Sequence, residues 1–153
     1  MVHVVYTDFR IKNEMAGWQE IADSGYAEFA PDSLHSLIHG AATPYIDMGL
    51  LRGLRQKMAG AEKKTLEMLV MEYHSADECA IVFEYKKKNI TQIPIGSYPL
   101  SAAFAREIIY GIMGYAFFNE FYFDFMFYGF DTTAHACREA SLFLDFYVTR
   151  MQE

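Results

Sequence analysis

Two histidines carry the most chemistry that residue type and spacing offer this chain. His35 and His39 stand four residues apart in a segment with helical apolar spacing. Rings at i and i+4 share one helix face and could hold one metal ion between them. A metal site needs further ligands, and Asp32, Asp47 and His74 have the right chemistry. Beside a carboxylate in a cleft, either histidine could instead serve hydrolytic acid–base chemistry. The plain alternative is a solvated helix flank. His135-Ala136-Cys137 invites a thiol-nucleophile reading, but on a helix i and i+2 point apart and cannot make the activating hydrogen bond. Glu67 with Glu72, and Glu120 with Asp124, are carboxylate pairs that the sequence does not place across a cleft. Nucleophile elbows, phosphate loops, dinucleotide fingerprints and Cys-x-x-Cys pairs are missing from the sequence. No cofactor is expected.

A second candidate is a surface. Phe121, Phe123, Phe125 and Phe127 alternate with Tyr122, Asp124, Met126 and Tyr128, a period of two that predicts a strand. The phenylalanines then fill a core, and the other four residues form the opposite face. Tyrosine and methionine beside a carboxylate suit a surface that binds something both apolar and polar. Two occupants fit: a second copy in a homodimer, or a small apolar ligand. Cover by another helix or by the N-terminal arm is the bland counterpart. Contiguous apolar patches usually mark interfaces, which favours the second copy where the face is open.

The elements that must position these residues follow from pattern. Residues 1–12 read as an edge strand or an ordered arm, and residues 18–30 as a short hairpin turning at Asp23-Ser24-Gly25. Pro31-Asp32-Ser33 opens a helix with Leu34, Leu37, Ile38, Ala41 and Tyr45 on one stripe, ending or kinking near Ala42 because of Gly40 and Pro44. Strands are expected over 50–58 and 64–74, the second apolar on both faces and so central. Ser75-Ala76-Asp77-Glu78 fits a capping box for a helix to about Lys88 that buries Ala76, Cys79, Ala80 and Phe83. A connection spans 89–100, and residues 101–109 read as a short helix. A hairpin follows over 111–118 and 121–128. Asp131-Thr132-Thr133 starts a last helix, packed through Cys137, Ala140, Ser141, Leu144 and Val148. Paired strands separated by helices predict one α+β domain over residues 1–153, an antiparallel aromatic-rich sheet with amphipathic helices packed on it.

Composition narrows the function classes. Of 153 residues, 52% are apolar, with 13 Phe and 11 Tyr, enough to require a packed core. A net charge of −7 argues against nucleic-acid backbones and anionic membrane surfaces as partners. Lys86-Lys87-Lys88 reads as a solvated helix end. Two cysteines, Cys79 and Cys137, read as free thiols, with one bridge open if the protein is exported. The longest apolar tract, over 108–130, is broken by Asn119, Glu120 and Asp124, so no membrane span is expected. The first residues lack the basic and apolar regions of a signal peptide.

Several motifs together resemble a bacterial family of unknown function whose members are mostly exported. They are Gly17-Trp18, Pro31-Asp32-Ser33-Leu34, Ile38-His39-Gly40-Ala41-Ala42, Tyr45, Gly49-Leu50, Leu69-Val70-Met71-Glu72 and Ala80-Ile81-Val82-Phe83, then Phe121-Tyr122-Phe123 and Gly129. The similarity spans roughly residues 16–148, and His39 departs from it where the family tends to have Asn. The resemblance implies a fold and a periplasmic or secreted location, with a signal sequence outside the residues given; a cytoplasmic location is the alternative. It implies no activity. The reading as a whole is a non-enzymatic binding or interaction domain that uses its aromatic sheet face, with the histidine-based enzyme as the alternative.

Overall fold

A computed structural model describes residues 4–38, 42–88, 91–93, 95 and 102–152. The period of two over the Phe/Tyr run is realised as strand β7 (Phe121–Tyr128). It lies between β4 (Thr65–Glu72) and β6 (Gly111–Phe118), antiparallel to both along its whole length. Asn119, with φ of 53°, makes the tight turn between β6 and β7. Outside these, β3 (Arg52–Ala59) pairs with β4, and β5 (Ala102–Ile108) pairs with β6. The short strands β1 (Gln19–Glu20) and β2 (Tyr26–Phe29) both pair with β3. The result is a seven-stranded antiparallel sheet in an α+β fold, with β4 and β7 at its centre.

Helices cover both faces. Under one face lie α1 (Pro31–Ile38), α2 (Thr43–Asp47) and α3 (Ala76–Lys87), packed on Leu69, Met71, Tyr115 and Tyr122. Under the other lie α4 (Thr133–Gln152) and the N-terminal arm, packed on the β7 phenylalanines. The arm is ordered by a short 3-10 turn over Tyr6–Phe9 that buries Phe9. Beyond that turn, buried Gln56 of β3 holds Ile11 at both ends. Its amide donates to the Ile11 carbonyl at 2.7 Å and its oxygen accepts the Ile11 N–H at 2.9 Å. The buried Gln56 amide is thereby satisfied.

Four expectations change. Residues 18–30 do not form a hairpin: β1 and β2 are successive pieces of one edge, each paired to β3, with residues 21–25 bulging out between them. Residues 102–108 are a strand, not a helix. Ala-Ala-Phe-Ala-Arg-Glu-Ile favours helix locally, but pairing with β6 decides its state. On α3, Val82 is buried while Ala76 is exposed at the first turn. On α4, the buried stripe is Ala136, Ala140, Phe143, Leu144 and Tyr147, rotated from the expected one toward the large aromatics.

Among the described residues no helix is long and apolar enough to cross a membrane. Both cysteines are free. Cys79 packs with the α3 side of the sheet and Cys137 with the α4 side, so the sheet itself stands between them.

Candidate functional site

β7 has one charged residue, and it is buried. Asp124 is 6% exposed in the middle of the strand. Alternation turns it away from the phenylalanines and toward α1, α2 and α3. Its register partners are Leu69 on β4 and Tyr115 on β6. Two tyrosines satisfy the carboxylate. Tyr122, two residues earlier on the same strand face, donates to Oδ1 at 2.7 Å. Tyr45, carried by α2, donates to Oδ2. Tyr73 in turn donates from its hydroxyl to the Tyr45 carbonyl at 3.2 Å, which fixes α2 over the sheet.

Two cations stand behind this cluster. Lys86 places its Nζ 4.4 Å from the Tyr45 ring centroid and 5.8 Å from that of Tyr115. Arg106 of β5 donates from Nε to the Tyr115 hydroxyl at 3.1 Å. Burial raises the Asp124 carboxyl above its usual range. The Lys86 charge, the two tyrosine hydrogen bonds and Arg106 oppose that rise. Burial also raises the Tyr45 and Tyr122 hydroxyls, and the Asp124 charge adds to it, so both hydroxyls stay protonated and act as donors.

Asp124 also lines a cleft of about 230 Å³, and Arg106 reaches its edge, donating from Nη2 to the sulfur of Met113 at 3.2 Å. Leu37 and Ile38 of α1 form one wall, and Leu69, Met113 and Met126 form the floor. Glu67 shares this face, diagonal to Asp124 in the β4–β7 register, and adds a second carboxylate to the rim. An apolar cavity of about 150 Å³ is enough to hold benzene, so a small ring or a branched alkyl group fits.

The four residues of the expected surface are therefore split. Asp124 and Met126 line the cleft. Tyr122 is fully buried under Tyr45, and Tyr128 lies half-buried at the strand end. His35 is exposed on α1, and His39 lies outside the described residues. Among the described residues no three His, Cys, Asp or Glu side chains gather as a metal would require. His135 sits edge-on to Phe130 and faces Glu139 at 3.9 Å on the surface of α4.

Alternation marked Asp124 as a member of the strand's second face, but it did not reveal that the carboxylate is buried there. It did not reveal Tyr45, which falls on an ordinary helical stripe. Nor did it reveal Lys86, which sits in a lysine run with every sign of a solvated helix end. Both reach Asp124 through long-range packing. No protein-family model, curated protein or solved structure matches this chain.

Proposed function

We propose that this chain is a non-enzymatic binding domain that takes a small, mostly apolar ligand in the cleft over Asp124. One observation carries the reading: a buried carboxylate, held by two tyrosine hydroxyls, forms part of the wall of a cleft whose other lining residues, Glu67 at the rim apart, are apolar. Small-molecule sites commonly combine an apolar lining with a few fixed polar groups. The tyrosines occupy one direction at each carboxylate oxygen, and a carboxylate accepts about four hydrogen bonds. A ligand with an apolar body and one donor group meets both needs. Export belongs to the same proposal and rests on the motifs shared with the bacterial family. Fractionating cells that express the full natural reading frame tests it, and recovery from the cytosol alone rejects it.

The cleft reports its own occupancy, since Met113 and Met126 line it. With methyl-labelled methionine, benzylamine and benzyl alcohol should shift these two methyl signals saturably, and toluene should do so more weakly. Asp124→Asn should narrow the difference between the donors and toluene. Shifts spread evenly over all nine methionines, or none at Met113 and Met126, would reject the site.

A further inference from the structure

The opposite face of the molecule carries a larger cleft, of about 550 Å³, between the N-terminal arm and α4. Its lining is largely apolar: Met15 and Trp18 from the arm side, Phe146 and, at the edge, Leu142 from α4. Leu142 is 60% exposed and lies off the buried α4 stripe. Three carboxylates join this lining, from Glu14, Glu139 and Asp145, and among the described residues no lysine or arginine does. Glu139, Leu142, Phe146 and Thr149 fall at i, i+3, i+7 and i+10, one continuous helix face. That face runs about 15 Å along α4. The cleft is thus elongated, apolar at its base and negatively charged at its edge.

We infer that this cleft docks a basic amphipathic segment of a partner protein, seating one or two large apolar side chains between Trp18 and Leu142 while lysines or arginines face Glu14, Glu139 and Asp145. The charge of the rim excludes acidic partners and steers basic ones. A groove beside a helix with an exposed leucine at its edge is the arrangement in which an amphipathic segment buries its anchors. This inference is independent of the cleft over Asp124, which lies across the sheet.

Trp18 is the single tryptophan of the chain and lines this cleft, so all tryptophan emission comes from a residue at the proposed site. The probe is a leucine–lysine amphipathic peptide of about four helical turns, compared with a leucine–glutamate peptide of the same apolar pattern. The lysine peptide should shift Trp18 emission saturably and the glutamate peptide should not. Leu142→Ser, and separately Glu139→Gln with Asp145→Asn, should each weaken the lysine peptide about tenfold. Asp77→Asn with Glu84→Gln removes the same charge from exposed positions on α3, across the sheet, and should change little. Equal binding of both peptides, equal weakening by the α3 pair, or an unshifted Trp18 overturns the inference.

Discussion

The two faces of the sheet are built from the same strand yet solve different problems. On the α4 face, β7 presents only phenylalanine. Phe123 stacks on Tyr147 at 5.1 Å and meets Phe9 edge-on at 5.2 Å, while Phe127 meets Phe143 edge-on at 5.5 Å. Gly114 stands opposite Phe125, and its missing side chain is what lets that ring lie flat across β6. On the α3 face, the same strand presents Tyr122, Asp124, Met126 and Tyr128, and the cover is made of three separate helices, two of them short. Buried polar groups there must satisfy each other, and the cleft opens beside them. A face of packed phenylalanines gives stability but no fixed polar group for a small ligand. A face that buries a carboxylate gives up some stability for a fixed polar group at a cavity wall.

The contrast is sharpest in substitutions of neighbouring residues on β7. Phe123→Ala should cost about 3–5 kcal/mol of folding stability, as expected for a buried aromatic ring whose neighbours cannot close the gap. Tyr128→Ser, at a half-buried position on the other face, should cost about 1 kcal/mol. Denaturant titration of the two variants checks the ranking. Tyr122→Ser belongs with the phenylalanine, because Tyr122 is fully buried. A double replacement of Tyr122 and Tyr128 would therefore unfold the chain before it could report on self-association. If Phe123→Ala proves no worse than Tyr128→Ser, the two faces are not unequal in the way described.

How much of this was legible beforehand depended on range. The β7 alternation, the β3–β4 and β6–β7 pairings and the Ser75 cap are local, and each was readable from a few residues. At that cap the Ser75 hydroxyl accepts the Glu78 N–H, while the Glu78 carboxylate accepts the His74 N–H instead of closing the box on Ser75. Residues 102–108 were misread because local preference favours helix while a distant partner strand imposes extension. The candidate site was half visible. Asp124 and Met126 stood out by pattern, but the groups that decide what Asp124 does come from residues 45, 86 and 106, on three different elements. No spacing rule connects those positions.

Within the α3 face, the Tyr45 hydroxyl is the more informative of the two donors, since it alone ties α2 to the sheet at Asp124. Tyr45→Phe keeps the ring and leaves one oxygen of a buried carboxylate without that donor. It should cost about 1–3 kcal/mol. The loss should also push the Asp124 carboxyl further upward, because one of the hydrogen bonds that lowers it is gone. Thermal unfolding gives the first quantity, and the carboxyl carbon shift of Asp124 followed against pH gives the second. An unchanged Asp124 titration would mean that Tyr45 only packs.

The smallest effect is also the one that separates the faces by sign. Asp124 is harder to ionise in the fold than in the unfolded chain, chiefly through burial. Such a group keeps its proton longer when folded. Its contribution therefore weakens as pH climbs from the unfolded pKa through the raised one, then stays level above it. Glu20, on the arm side, is the reverse. The Arg10 hydrogen bonds at 2.8 and 3.0 Å, with that of Gln56, hold it below the usual glutamate value against the effect of burial. Its contribution is present above the unfolded value and is lost as pH falls through the lowered one. Denaturation midpoints measured from acid to neutral pH should thus diverge in opposite directions. Relative to wild type, Asp124→Asn should gain as pH rises, and Glu20→Gln should lose. An Asp124→Asn curve that stays parallel to wild type would show that the carboxylate over the cleft is solvated like any surface acid, and the binding site built on its burial would fall with it.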